Sequence, residues 1–110
     1  MVDINTNHAV RDFLNRIKTQ YEFNGAILFG SRARQTHQAD SDADVAILLS
    51  GPAGEFLTTK LAMADIAYDI LLETGIRIQP FPLWEEQWSH PETYSNPYLL
   101  QNIKREGIRL

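Results

Sequence analysis

The sequence predicts an α/β fold, a small mixed sheet flanked by helices, within one domain over residues 1–110. Three observations predict it. Segments whose apolar residues recur at helical spacing alternate with apolar runs too short for helices. The borders between them carry Gly, Pro, Asn and Ser. The chain has 110 residues, 44% of them apolar, which is enough for one core and not for two.

Val10, Phe13, Leu14, Ile17 and Tyr21 share one helical face and predict a first helix from about Asn7 to Tyr21, capped by Asn5 or Thr6. Asn24-Gly25 reads as a turn, and Ala26-Ile27-Leu28-Phe29 as a buried strand. Gly30-Ser31 ends that strand, Ser31 to Gln35 forms a short helical turn, and Thr36 to Ser41 is a polar loop. Asp42 to Leu49 is a second strand that opens on two carboxylates. After the loop Ser50 to Gly54, a long helix runs from about Leu57 to Thr74. Its apolar stripe is Leu57, Leu61, Ala64, Tyr68 and Leu71, and Gly75 stops it. Ile76 to Phe81 is a third strand ended by Pro80 and Pro82. Glu85 to Trp88 suits one helical turn, and Pro91 to Asn96 a loop. The last helix has Asn96 as cap, Pro97 at its first position, Leu99, Leu100 and Ile103 inward, and Gly107 as its end.

Composition narrows the function classes. The net charge of -4 and the scattered basic residues argue against general nucleic-acid binding, leaving only a local basic patch at Arg32 and Arg34. Absence of cysteine excludes disulfides and thiolate metal sites. The first residues lack the pattern of a signal peptide, and no apolar run approaches the ~20 residues that span a bilayer, so a cytoplasmic protein without membrane association is expected.

The chemistry concentrates between Leu28 and Leu49. In a strand starting at Asp42, side chains alternate, so Asp42 and Asp44 share one face while Ala43, Val45, Ile47 and Leu49 take the other. Two carboxylates on one face repel unless a cation sits between them, and Mg²⁺ bound through carboxylates and phosphates is the typical solution. An exposed strand start with two solvated acids would read the same way. Gly30 permits close approach of backbone to a phosphate, and Ser31 offers a hydroxyl at the start of the short helix. An ordinary strand-to-helix turn would also read so. Taken together, the turn suits a triphosphate tail and the carboxylates suit the metal on the same phosphates. Neither a P-loop nor a Rossmann fingerprint is present. Arg32 and Arg34 follow the turn, where either could pair with a phosphate or lie in a solvated face or salt bridge. His8, His37 and His90 have no ligand partner at metal spacing and read as surface residues.

Phe29-Gly30-Ser31-Arg32-Ala33-Arg34 followed by Ser41-Asp42-Ala43-Asp44-Val45-Ala46-Ile47-Leu48 resembles the signature of the polymerase-beta-type nucleotidyltransferase superfamily. It looks most like the minimal nucleotidyltransferases that act as antitoxins beside HEPN-type toxins. The resemblance implies a polymerase-beta-like core, with Gly30, Ser31 and Arg32 at the nucleotide and Asp42 and Asp44 as catalytic metal ligands. It implies Mg²⁺-dependent transfer of AMP from ATP to a hydroxyl, typically a tyrosine of the partner HEPN toxin. One departure stands out. The superfamily often carries a third carboxylate on a later strand, and here Ile76-Arg77-Ile78-Gln79-Pro80-Phe81 has none. That leaves room for a second reading, an inactive antitoxin that neutralises its toxin by binding, and a third, transfer to a small molecule or RNA.

Overall fold

The computed structural model describes residues 2–110. Helix α1 spans Ile4–Ile17, β1 Phe23–Phe29, α2 Ser31–Arg34, β2 Ala43–Leu49 and α3 Phe56–Thr74. Strand β3 follows at Ile78–Trp84, then α4 at Glu85–Ser89, α5 at Pro97–Glu106 and β4 at Ile108–Arg109, with a single 3₁₀ turn at Pro91–Thr93. The strands form one sheet in the order β3-β2-β1-β4. β1 runs antiparallel to β2 and β4, whereas β2 and β3 are parallel and joined by the α3 crossover. The mixed sheet flanked by helices is the predicted fold. Among the described residues no helix is long and apolar enough to cross a membrane.

Alternation along β2 divides the core. Ala43, Val45, Ile47 and Leu49 pack with Phe13 and Ile17 of α1 and Met63 and Ile70 of α3. Ala46 and Leu48 face the other way and pack with Ile27, Leu83, and Leu100 and Ile103 of α5. Asp44 belongs to this second face, beyond the end of its apolar cluster.

The structure departs from the sequence expectations in several places, each with a physical reason. Asp3, rather than Asn5 or Thr6, caps α1, accepting from the Thr6 amide at 3.5 Å. Asn24-Gly25 lies inside β1, where the pairing passes from Phe23↔Leu49 to Gly25↔Leu48, so the turn signal is used as a one-residue bulge. β3 continues through Pro80 and Pro82 to Trp84. It is an edge strand, and prolines two apart both turn their donor-free nitrogens to the same, outer side, so no ladder bond is lost. Directly after Gly107, the two residues of β4 pair with Ile27 and Leu28, an element with no sequence signal of its own.

The largest correction concerns α3. Its buried stripe is Met63, Ala67 and Ile70, while Leu57, Leu61 and Tyr68 of the expected stripe are exposed. The helix is apolar around most of its circumference, so periodicity could not say which face meets the sheet. Truncation should therefore separate the two faces: Met63→Ala, at 0% exposure, should cost about 2–5 kcal/mol, and Leu61→Ala, at 58%, within about 0.5 kcal/mol. Urea unfolding of the two variants measures both, and equal losses would contradict the packing.

Candidate functional site

Antiparallel pairing sets Phe29, the last residue of β1, opposite Asp44 of β2. The chain then turns sharply at Gly30, with φ 76° and ψ -158°. That region of backbone space is essentially closed to any residue with a Cβ. Space closes it again, since a Cβ on Gly30 would run into Asp44 Oδ2. The turn and the carboxylate are thus pressed together: the backbone demands glycine, and any larger residue would also push the Asp44 carboxylate aside. Ser31 opens α2 and is half-buried. The amides of Ala33 and Arg34 both reach the Gly30 carbonyl, at 3.1 Å each, leaving those of Ser31 and Arg32 without an intrahelical acceptor.

β2 begins at Ala43, so Asp42 lies just before the strand and not within it as expected, yet its charge still reaches Asp44. Asp44 is half-buried, and burial is the main cause that holds its carboxyl above the ordinary 3.8, with the charge of Asp42 adding to it. Two cations work the other way, Arg34 and Lys60, near enough for their charges to favour the ionised carboxylate. Arg34 does not pair with the acids, because its guanidinium bonds Glu106 of α5 at 3.2 Å. A divalent cation fits this arrangement: oxygen donors, surplus negative charge, and a glycine turn beside it. Among the described residues no cluster of three acidic, histidine or cysteine side chains could hold a metal, so phosphate oxygens and water would complete the coordination.

Arg32 requires a correction. Expected at the nucleotide, it is 3% exposed, and its guanidinium is used within the fold. It donates to Ser41 O at 2.9 Å, Ala39 O at 3.1 Å and Thr6 Oγ1 at 2.9 Å. The five-donor fork of arginine suits this task, fastening the 36–41 loop and α1 to the turn. Ser41 takes a turn role, its hydroxyl accepting from the Gln38 amide at 2.9 Å. His37 lies 3.9 Å from Asp3, and His8 and His90 are exposed.

The place of the absent third acid is now defined. Register puts Gln79 of β3 directly beside Asp44, and Arg77 falls before the strand. Glu85 and Glu86 are no substitutes. They follow Trp84, which pairs with Leu49, five residues up the strand from Asp44, roughly 17 Å at 3.3 Å per residue. There they bind Asn24 and the Ala53 amide. Lys60 is the functional candidate the sequence reading missed. Its signal was its solitude, as the one basic residue in the α3 segment Phe56–Thr74.

Comparison with known proteins bears on the family and the fold. A family model described as "Polymerase beta, Nucleotidyltransferase" matches residues 12–82, from within α1 to within β3. A crystal structure assigned to a nucleotidyltransferase from Sulfolobus solfataricus superposes with a TM-score of 0.61 at 13% identity, covering 96% of this chain and 79% of that one. At that identity the likeness is one of fold. No curated protein sequence matches the chain.

The burial of Asp44, with Asp42 beside it, has a measurable consequence. Folded Asp44 holds its proton to higher pH than the unfolded chain does, so it costs stability as pH rises past 3.8 and through its raised value. Asp44→Asn should therefore raise Tm in EDTA at pH 8, and the gain should vanish well below pH 3.8, where the wild-type residue is protonated in both states. A lower Tm for the variant at pH 8 would contradict the assigned burial and repulsion.

Proposed function

The chain belongs to the polymerase beta nucleotidyltransferase family, and from that premise we propose that it transfers AMP from ATP to a hydroxyl, typically a tyrosine, of a partner HEPN toxin, and so acts as an antitoxin. The observation that carries the reading is the contact of the Gly30 turn with Asp44, beside Asp42. It joins a backbone that suits phosphates to a carboxylate pair that suits their metal.

In this reading Gly30 and Ser31 place the β and γ phosphates, and Asp42 and Asp44 hold magnesium. When bound, that ion neutralises charge on the phosphates and the departing pyrophosphate. The acceptor oxygen approaches the α-phosphorus in line. The new oxygen–phosphorus bond forms as the bond to the bridging α,β oxygen breaks, pyrophosphate leaves, and the hydroxyl proton passes to solvent. Positioning and charge neutralisation supply most of the acceleration in phosphoryl transfer, and the same holds here for nucleotidyl transfer. Arg34 and Lys60 add fixed positive charge near Asp44.

Gln79 favours a second reading. An amide beside Asp44 gives a weaker metal ligand than a carboxylate, and an activating ion would suffer most. A chain so equipped could neutralise its toxin by contact alone.

Intact mass of a HEPN toxin encoded beside this chain, after incubation with it, ATP and Mg²⁺, separates the readings. Transfer gives mass gains of whole AMP units, lost in Asp42→Asn/Asp44→Asn and faster by on the order of tenfold or more in Gln79→Asp. A stable complex with no mass gain supports neutralisation by contact. Label found only on RNA or a small molecule would overturn the protein acceptor and leave transfer standing.

A further inference from the structure

The sheet face that carries Asp44 also carries aromatic rings that the transfer reading does not use. Phe29 lies opposite Asp44, and Phe81 lies beside Ala46, whose methyl leaves space between the two rings. Their centroids are 6.2 Å apart, edge to face. Phe56, at the start of α3, packs edge-on against Phe81 at 5.4 Å, and Tyr94 approaches the same ring at 6.5 Å. One turn after Phe56, Lys60 places its Nζ 5.8 Å from the Phe56 ring centroid. Lys60 is also one of the two cations whose charge reaches Asp44.

Aromatic residues that only fill a core are sealed by it. Here Phe29, Phe81 and Tyr94 are half-buried and Phe56 is 36% exposed, so the group forms the rim of the site. Its position is set by the strands: Phe29 precedes Gly30 in the chain, and Phe81 is two residues beyond Gln79 on the same side of β3. A triphosphate bound where Gly30 meets Asp44 would therefore leave its nucleoside within reach of these rings, with Lys60 near both the Phe56 ring and Asp44.

We propose that Phe56, Phe81 and Tyr94 form a stacking seat for the nucleobase, with Lys60 facing the phosphate nearest it, and that purine nucleoside triphosphates are the preferred ligand class. The inference rests on the triphosphate reading of the Gly30–Asp44 turn. Stacking on aromatic rings tolerates any base but grows with the π-surface, so ATP and GTP should bind alike and more tightly than UTP.

Titration calorimetry of the whole chain in Mg²⁺ with ATP, GTP, UTP and inorganic tripolyphosphate tests the seat. Wild type should bind the purine nucleotides more tightly than UTP or tripolyphosphate. Phe56→Leu, which keeps apolar contact with Phe81 and removes the π-face, should weaken ATP on the order of tenfold and leave tripolyphosphate unchanged. Phe56→Trp should retain or tighten ATP. Unchanged ATP affinity in Phe56→Leu, or equal loss of both ligands in a variant with wild-type Tm, would overturn the seat. So would equal wild-type affinity for ATP and tripolyphosphate, with the triphosphate reading intact. Wild type binding neither ligand would overturn that reading and the seat with it.

Discussion

The candidate site depends on the pairing of β1 with β2. That register brings the end of one strand opposite the start of the other, so Phe29 faces Asp44 and the next residue must leave the sheet at once. It does so through a backbone conformation that only glycine adopts readily, against a carboxylate that any Cβ would displace. The carboxylate, the turn and the start of α2 then have fixed relative positions before any ligand arrives. Preorganisation of this kind is what a site needs if its contribution is to hold phosphates rather than to perform covalent chemistry.

Arg32 shows how the scaffold keeps that turn in place. Its guanidinium ties two carbonyls of the 36–41 loop and the Thr6 hydroxyl of α1 to the residue just after Ser31. The loop returns the chain from the turn to Asp42, so anchoring it fixes the distance between the phosphate side of the site and the carboxylate side. The neighbouring Arg34 takes the more exposed position and binds Glu106, connecting the turn to α5. Two arginines two residues apart in sequence thus do different work, one inside the fold and one across its surface.

Much of this was legible in the sequence, for reasons that differ from element to element. The run Ala43-Asp44-Val45 reports the facing of β2, because both faces of that strand are core further along and only Asp44 breaks the apolar pattern, where the second face reaches the site. Asn96 and Pro97 marked the start of α5 because the cap is a local structure with local chemistry, and Asn96 accepts from the Leu99 amide at 3.3 Å. What escaped was decided by contacts distant in sequence. The face of α3 was ambiguous because leucines lie on more than one side of it. The roles of Arg32 and Lys60 depend on Thr6 and Asp44, residues 26 and 16 positions away. The extent of β3 depended on its being an edge, which no single strand can announce.

The two edges of the sheet are guarded by different means. On β3 the guard is covalent: Pro80 and Pro82 have no N–H to offer an incoming strand, whatever the rest of the molecule is doing. On β1 the guard is conditional. Among the described residues β4 alone pairs with Ile27 and Leu28 on that side, with the Leu110 amide reaching the Ala26 carbonyl at 2.9 Å and the Arg109 guanidinium lying over Gly25. During synthesis the apolar run from Ala26 to Phe29 is made some eighty residues before its cover, as the numbering itself gives. Until β4 is in place, the molecule presents an open border on β1, and on β3 one that lacks two donors. Misassembly of this chain should therefore be directional, beginning at β1 more readily than at β3.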